Sequence, residues 1–437
     1  MIVNFQFKNW SCYRDEACLS MQAGPERDEG GHLPQFGSPS RPEKVLPVAA
    51  VYGGNASGKT QLVKAILFVQ NFVLNAFQKG VFPYEPFLLD GESAKAPTEF
   101  TIQFLDGNTI YEYAFTLFRM AILSEKLAYY TARGARRVPL FDREGNKVVV
   151  GSEWGTPAFQ TYASQLTLSE GQPFLSLSYS LCKDAEHVGR VYGWFARKLV
   201  VLSPSMHYLG VEDFCAEGRL SEMTAEYLRK FDTGIQALEP RQVELSALPP
   251  PIVQDVSSNV QIGQTVRVQM GDGDVFTVTR LETGALKVCR IFAAHRGAGD
   301  RLVPFSMERE SDGTRRMLDL IPAFAHLKQP GADSVYVIDE IDRSLHYLVS
   351  HAFISEFIKS CNAGTRSQLV FTTHDLLLMD QELLRRDEMY IVDKSPDGDS
   401  MMTDLRQFRG LRKDTDVRAR YLEGRFGGIV SSLRLRK

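Results

Sequence analysis

Alternating polar and apolar positions mark the first strands of the chain. Residues 1–8 carry an apolar side chain at every second position, and this period of two predicts a half-buried β-strand. A second strand is predicted over residues 17–21. Residues 99–104, 109–118 and 125–130 alternate in the same way and are joined by short turn sequences. These segments predict an antiparallel sheet.

Uninterrupted apolar runs mark a second set of strands. Residues 45–52, 334–338 and 369–373 are largely apolar, as strands buried on both faces of a parallel sheet are. Residues 61–77 and 345–360 have the apolar spacing of helices. This order of strands and helices predicts right-handed βαβ units. The predicted fold class is α/β, with a doubly wound, mostly parallel core sheet and an antiparallel β subdomain.

The other segments follow no single pattern. Residues 191–200 and 220–231 have helical spacing, whereas residues 254–289 alternate. We therefore expect a mixed helical and β insertion over residues 161–300. Residues 22–44 contain four prolines and four glycines among charged residues, which predicts a mobile surface loop.

Composition narrows the class of protein. The 437 residues include 50 basic and 53 acidic side chains, so a net charge of -3 provides no global attraction to nucleic acid or membrane. The six cysteines form no CxxC pair, which argues against a zinc site and a secreted disulfide framework. No apolar run reaches the roughly eighteen residues of a membrane span, and no secretory signal is present. We expect a cytoplasmic protein with no membrane partner.

The segment GGNASGKT lies between a predicted strand and a predicted helix, which is the context of a phosphate-binding loop. Its glycines let the backbone bend so that N–H groups converge on a phosphate. Lys59 would reach the β- and γ-phosphates, and the Thr60 hydroxyl would bind Mg²⁺. The predicted nucleotide-binding residues are Gly53, Gly54, Asn55, Ala56, Ser57, Gly58, Lys59 and Thr60.

Polar residues follow the two later apolar strands. Asp339 and Glu340 come directly after the strand 334–338, where Asp339 would hold Mg²⁺ and Glu340 would orient or deprotonate the attacking water. Taken alone, they could equally be a solvated strand end. His374 ends the strand 369–373 and is a candidate contact to the γ-phosphate or the water, while a purely structural histidine is the ordinary alternative.

The segment ESDGTRR opens an apolar helix. Ser311 is a predicted N-cap, and considered alone that capping role is sufficient. A serine and a glycine at an exposed helix start also bind phosphate, because free N–H groups and the positive end of the helix dipole attract anionic oxygen. Ser311 and Gly313 are therefore further candidates for nucleotide binding.

The segments GGNASGKT, ESDGTRR, VYVIDEIDRSLH and VFTTHD, in this order, resemble the ABC-type ATPases of the SMC and DNA-repair group. They resemble in particular the compact relatives in bacterial anti-phage operons, the RloA-like and PARIS AriA-like ATPases. PFLLD, PTEF and RYLEGRFGGI are similar to the same family. The resemblance implies an ABC-type ATPase head with an N-terminal lobe (1–160), an insertion or lid (161–300) and a C-terminal lobe (301–437).

The same resemblance implies a reaction shared between two copies. Two heads would close face to face around two ATP molecules with Mg²⁺, so that Ser311 and Gly313 contact the γ-phosphate in the partner's site. Residues 344–346 would form the D-loop at the dimer interface, and His374 would be the switch histidine. The implied function is an ATPase switch or scaffold, a homodimer or higher oligomer, that controls a separately encoded nuclease or toxin in anti-phage defence.

Three features depart from that family. Ser11 occupies the place of an arginine that approaches the nucleotide, and Arg14 is a candidate substitute. No glutamine is clearly assigned to the Mg²⁺ contact of ABC heads, with Gln103 as one candidate. Long coiled-coil arms are absent, which disfavours long-distance DNA tethering.

Other functions remain open. An ATPase–nuclease of the overcoming-lysogenization type would use Asp397 and Asp399, although a simple turn explains them better. A DNA-repair or DNA-binding SMC-like ATPase is a further alternative. A kinase or GTPase would leave ESDGTRR and His374 unused. Basic residues at 133–137 and 434–437 are candidate nucleic-acid contacts, or a solvated loop and tail.

Overall fold

The computed structural model of the chain describes residues 1–26, 31–38, 41–79, 84–119, 121–131, 136–204, 219–271, 273–408, 411 and 415–428. The basic residues at 133 and 434–437 and the last residue of RYLEGRFGGI lie outside them. The chain divides into two compact units. The first comprises Met1–Ser203, Pro330–Ile341 and Ser355–Lys437, and the second comprises Pro204–Gln329 and Asp342–Ile354.

The strands of the described residues are β1 (Ile2–Lys8), β2 (Ala17–Ser20), β3 (Gln35–Ser38), β4 (Arg41–Lys44), β5 (Val48–Gly53), β6 (Thr98–Asp106), β7 (Thr109–Phe118), β8 (Ala121–Tyr130), β9 (Arg137–Glu144), β10 (Lys147–Val150), β11 (Leu199–Leu202), β12 (Ile235–Val243), β13 (Thr265–Gln269), β14 (Val275–Arg280), β15 (Leu286–Arg296), β16 (Leu302–Ser306), β17 (Val335–Ile338), β18 (Gln368–Thr372), β19 (Met389–Lys394) and β20 (Ser400–Asp404).

The α-helices of the described residues are α1 (Lys59–Lys79), α2 (Pro157–Ala163), α3 (Phe174–Cys182), α4 (Glu186–Gly193), α5 (Arg219–Lys230), α6 (Pro250–Asn259), α7 (Asp312–Leu327), α8 (Tyr347–Ser360) and α9 (Val417–Leu422). A π-helix spans Trp194–Lys198. Short 3₁₀ turns lie at Ser93–Lys95, Leu245–Ala247, Ala298–Asp300, Met307–Arg309, Leu376–Leu378, Arg386–Glu388 and Leu405–Gln407. None of the helices formed by the described residues is long and apolar enough to cross a membrane.

A seven-stranded antiparallel sheet confirms the predicted β subdomain. Its strand order is β10-β9-β8-β7-β6-β1-β2. One face packs against α1, where Phe72 stacks on Phe115 of β7 with ring centroids 4.1 Å apart. Both rings are almost fully buried, and burying such apolar area is the main force that holds helix and sheet together.

A six-stranded sheet forms the core of the first unit and confirms the α/β fold class. Its order is β11-β17-β18-β5-β19-β20, and every pair except β19–β20 is parallel. All residues of β5 are buried. Because neighbouring parallel strands end at the same edge, the segments that follow β5, β17 and β18 meet there, as ligand sites of doubly wound sheets do.

Two sequence expectations in this unit are wrong. The helical spacing predicted over residues 191–200 breaks at 199, where β11 begins, because its apolar residues pair with β17 at the sheet edge. The loop predicted over residues 22–44 contains the hairpin β3–β4. Residues 27–30 and 39–40 of this segment lie outside the described residues. Two described residues of the segment accept hydrogen bonds from arginines, since Arg386 Nε donates to Glu26 Oε1 at 2.9 Å and Arg366 Nη2 to the Gln35 carbonyl at 2.9 Å.

A buried ion pair joins the antiparallel sheet to α3. Glu125 and Arg143 are both inaccessible to solvent, with their charged atoms 3.4 Å apart. The Glu125 carboxylate also accepts hydrogen bonds from the backbone N–H groups of Phe174 (2.7 Å) and Leu175 (3.0 Å) at the start of α3. A negative charge at a helix N-terminus is favourable, so Glu125 fixes where this helix begins.

The second unit contains an antiparallel sheet in the order β12-β15-β14-β13, with β16 paired to β15. The alternation predicted from residue 254 is wrong as far as 259, where α6 runs. Pro250 and Pro251 start this helix, as proline at the first helical positions does. Helix α7 packs in this unit through Phe324, whose ring stacks on Phe353 at 4.7 Å.

Candidate functional site

The predicted phosphate loop connects β5 to α1. Gly53 ends the strand, and Lys59 begins the helix with Thr60 behind it. Gly53 has φ 156° and Gly58 has φ 118°, values that side chains rarely tolerate. A Cβ at Gly53 would lie 2.4 Å from the Val392 carbonyl oxygen, and one at Gly58 would lie 2.7 Å from Ser400 Oγ. Glycine is therefore required at both positions.

Side chains from distant segments hold the loop in place. Ser400 Oγ donates to the Ser57 carbonyl at 2.5 Å, and Tyr13 donates its hydroxyl to the Gly58 carbonyl at 3.1 Å. Trp10 Nε1 donates to the Gln61 carbonyl at 3.1 Å. Within the loop, Asn55 and Ala56 are exposed, whereas Ser57, Gly58 and Lys59 are buried. These hydrogen bonds hold the buried part of the loop, while its tip at Asn55 and Ala56 is exposed to solvent.

Two flanking segments also contact the loop. A Cβ at Gly54 would lie 3.0 Å from the Gly428 carbonyl, which places the segment RYLEGRFGG beside the loop. Cys12 Sγ would lie 2.9 Å from a Cβ at Gly58. Burial raises the pKa of the Cys12 thiol.

Lys59 places a positive charge at the loop. Its Nζ donates to the carbonyl oxygens of Gly53 (2.8 Å) and Gly54 (3.0 Å), and lies 3.4 Å from Nδ1 of His374. The residue is 5% exposed. A lysine held in this way at the start of a helix, behind a glycine-rich loop, can bind phosphate oxygens.

The two carboxylates follow β17, on the same sheet. Asp339 is buried, and its Oδ1 accepts the Thr372 hydroxyl at 2.5 Å. The backbone N–H of Glu340 donates to the same hydroxyl at 2.8 Å. Glu340 has φ 49°, an unusual value for a non-glycine residue. Thr372, which sequence reasoning missed, therefore positions both acids at once.

His374 connects the acid to the lysine. Its Nε2 lies 4.0 Å from Oε1 of Glu340, while its Nδ1 faces Lys59. Glu340 and His374 are partly exposed, with 34% and 39% of their side-chain surfaces accessible. The structure thus brings Lys59, Glu340 and His374 into one cluster at the edge where β5, β17 and β18 end.

The donor atoms near the cluster can be compared with those that a magnesium ion needs. Among the described residues no group of three or more His, Cys, Asp or Glu side chains could hold a metal. Mg²⁺ in nucleotide sites needs only one or two protein oxygens, because phosphates and water supply the rest. The buried carboxylate of Asp339, which follows β17, and the hydroxyl of Thr60, in the first turn of α1, are oxygen donors of the kind that Mg²⁺ takes.

Ser311 and Gly313 lie in the second unit, at the start of α7. Ser311 caps the helix, since its Oγ accepts the Thr314 N–H at 3.1 Å. A Cβ at Gly313 would lie 2.6 Å from the carbonyl oxygen of Ser344. Ser344 has φ 60° and is exposed, as is His346. The segment predicted to form the D-loop therefore lies directly against the start of α7.

Other sequence candidates have structural partners. Arg14 pairs with Asp399 at 3.4 Å and with Asp15 at 3.3 Å, and the Ser11 N–H donates to the Glu85 carbonyl at 2.6 Å. Gln103 donates to Glu112 Oε2 at 2.8 Å in the antiparallel sheet. Asp397 and Asp399 lie in the turn between β19 and β20. A simple turn, rather than a pair of nuclease acids, therefore explains these two residues.

One family of known proteins matches the chain. A family model described as an AAA domain, putative AbiEii toxin, of a type IV toxin–antitoxin system matches residues 48–154 and 216–380, which is more than half of the chain. The matched regions include the phosphate loop, Ser311, both carboxylates and His374. No curated protein matches the chain.

Proposed function

Because the chain belongs to the AAA-domain family that this model describes, we propose that it binds ATP with Mg²⁺ and hydrolyses it to ADP and phosphate. The observation that carries the proposal is the cluster of Lys59, His374 and Glu340 at one edge of the parallel sheet. It combines a cation for phosphate, a carboxylate for water and an imidazole between them. A phosphate-binding cation and a group that orients or deprotonates the water are what enzymes of phosphoryl transfer to water use.

The phosphate loop binds the phosphates of ATP in this proposal. Residues Gly53, Gly54, Asn55, Ala56, Ser57 and Gly58 supply backbone N–H groups to the phosphates. Lys59 leaves its two carbonyl acceptors to reach the β- and γ-phosphates. The Thr60 hydroxyl and Asp339 hold Mg²⁺, which bridges the phosphates and offsets their negative charge.

Glu340 and His374 are the residues that act in hydrolysis in this proposal. Glu340 orients a water molecule and accepts its proton, and Thr372 fixes the backbone from which Glu340 extends. His374 contacts the γ-phosphate, and its distances to Lys59 and Glu340 allow it to report whether that phosphate is present. Both catalytic side chains are partly exposed, which leaves them accessible to substrate.

A second copy completes the site in this proposal. Ser311 and Gly313 of one subunit bind the γ-phosphate held by the other, so that ATP joins two heads and hydrolysis releases them. The fixed start of α7, capped by Ser311 and packed on Ser344, supports such a role. The family's description names a type IV toxin–antitoxin system, which supports a separately encoded effector as the partner of this switch. That the effector is a nuclease or toxin acting in defence against phage is the part of the proposal that rests on the sequence resemblance alone.

The decisive experiment uses Glu340→Gln. This variant should bind Mg²⁺–ATP, lose hydrolysis and form a dimer in size-exclusion chromatography with light scattering. The double variant Glu340→Gln/Lys59→Ala should remain unassociated under the same conditions. Glu382→Gln, an exposed glutamate of the same unit, serves as the matched control and should hydrolyse ATP normally.

Two outcomes would contradict the proposal. A Glu340→Gln variant that hydrolyses ATP at the normal rate would remove Glu340 from the reaction. If the Ser311→Ala variant hydrolysed ATP at the full rate as a monomer, the proposal that two subunits share each ATP site would be contradicted. Pull-down of proteins encoded beside this chain, with and without non-hydrolysable ATP, tests the effector separately.

A further inference from the structure

A cavity of about 420 Å³ lies in the second unit beside the first turns of α7. Four charged residues of this helix line it: Asp312, Arg315, Arg316 and Asp319. Their spacing of three, four and seven residues puts them on one face of the helix. Ser311 and Gly313, the residues of α7 assigned to ATP, are not among the described residues that line the cavity.

Two of these charged side chains are buried. Arg316 is 7% exposed and Asp319 is 3% exposed. Charged groups are rarely buried to this extent, because their removal from water is costly unless polar partners compensate. Here they form part of a polar wall around an open space, where a bound anion can also compensate the charge of arginine.

The guanidinium of Arg315 is held in a defined position. Its Nη2 donates to Asp312 Oδ1 at 2.5 Å. On its other side, a Cβ at Gly273 would lie 2.1 Å from Arg315 Nη1, and Gly273 has φ 95°. The glycine therefore leaves the space that the guanidinium occupies. A side chain fixed before binding loses less conformational entropy when a ligand arrives.

The balance of charge around the cavity favours an anion. Among the described residues that line it, Arg315, Arg316 and Arg343 contribute three positive charges against the two negative charges of Asp312 and Asp319. Guanidinium groups donate paired hydrogen bonds that match the oxygens of phosphate. We propose that this cavity is a second anion site, which binds a small phosphorylated ligand of about the size of a mononucleotide.

The size of the cavity supports this class of ligand. Its volume lies near the lower end of the roughly 300–1,000 Å³ typical of small-molecule sites. Ser344 also lines the cavity, and the carbonyl of the same residue lies against Gly313. A ligand here would therefore restrain the segment that touches the start of α7. Its effect on ATP hydrolysis rests on the proposed function, whereas its binding does not.

Isothermal titration calorimetry on the full-length Lys59→Ala variant tests the site, because this variant removes the phosphate-loop cation. The probes are pyrophosphate, AMP and inorganic phosphate, with citrate as a carboxylate anion. Pyrophosphate or AMP should bind with one ligand per chain, more tightly than citrate, and more weakly as salt increases. Adding Arg315→Ala should weaken binding about tenfold or more, while Arg309→Ala, an exposed arginine outside the cavity, should leave binding unchanged.

A second variant guards against misfolding. Arg315→Lys keeps the positive charge but removes the paired guanidinium donors, so it should weaken the same binding with an unchanged circular dichroism spectrum. The proposed site would be refuted if neither pyrophosphate nor AMP bound to the Lys59→Ala variant, or if citrate bound more tightly than they do. Equal binding after the addition of Arg315→Ala would refute it as well. These outcomes are independent of ATP hydrolysis by the protein with Lys59 intact, so failure of this site and failure of the proposed function can be told apart.

Discussion

Gly313 and Ser344 touch so closely that no side chain fits between them, since a Cβ at 313 would lie 2.6 Å from the Ser344 carbonyl oxygen. The two residues are 31 positions apart in the chain. Each belongs to a segment expected to act at the interface between two copies. Their contact means that the start of α7 and the segment at 344 cannot move independently.

The Gly313→Ala variant tests this contact. Helix propensity alone favours alanine by about 1 kcal/mol, but the clash involves backbone and should cost about 1–3 kcal/mol. We expect lower stability in urea unfolding and a loss of ATP hydrolysis. Gly91→Ala, where a Cβ meets nothing within 4 Å, is the control. A Gly313→Ala protein with normal stability and activity would show that the contact is unimportant.

Thr372 is expected to control the rate of hydrolysis through the two acids that it positions. In Thr372→Val the hydroxyl that bonds both Asp339 and the Glu340 N–H is lost, while the shape of the side chain is kept. We expect kcat to fall about tenfold or more, because hydrogen bonds to charged groups contribute about 1.5–3 kcal/mol. Thr372→Ser should restore most of the rate. Steady-state kinetics would contradict this role if only KM changed, or if serine failed to rescue.

The buried pair of Glu125 and Arg143 is expected to be essential for stability. Glu125→Ala would leave the Arg143 charge buried and the two N–H groups of α3 without their acceptor. We expect a loss of about 3–5 kcal/mol in the free energy of unfolding. Glu144→Ala removes an exposed ion pair of the same sheet, at 2.7 Å from Lys126, and should cost at most about 1 kcal/mol. Equal losses for the two variants in urea denaturation would refute the assignment.

Cys12 is expected to react slowly. Only the thiolate is alkylated, and burial raises the pKa of this thiol, so less thiolate is present at a given pH than in the unfolded chain. Iodoacetamide at pH 8 should modify Cys12 more slowly in the folded protein than in urea. The difference should narrow as pH rises. Peptide mapping by mass spectrometry measures both rates, and equal rates at pH 8 would contradict the expected shift.

The phosphate loop was predictable because its information is local. GGNASGKT places its glycines, Lys59 and Thr60 within eight consecutive residues, and the strand and helix around it are visible in the apolar pattern. The α/β fold class followed from the same pattern, which the six-stranded sheet confirms.

The supports of the site were not predictable, because they come from distant parts of the chain. Thr372 donates a hydrogen bond to Asp339, 33 positions away in the chain. Ser400 donates one to the carbonyl of Ser57, 343 positions away. Single hydroxyls carry no pattern that reveals such pairs. The errors at residues 191–200 and 254–259 have a related cause. Short apolar segments satisfy helical and strand spacing alike, and tertiary pairing decides between them.

The long-range contacts of the phosphate loop affect when this loop can form during synthesis of the protein. Its strand β5 pairs with β18 and β19, and Ser400 closes the loop from the far end of the sequence. A nascent chain that has left the ribosome only as far as residue 390 carries every residue of GGNASGKT, but it lacks most of β19 and the Ser400 hydroxyl. Such long-range pairing is slow to form, so we expect the loop to reach its nucleotide-binding shape only after residue 400 has been synthesised.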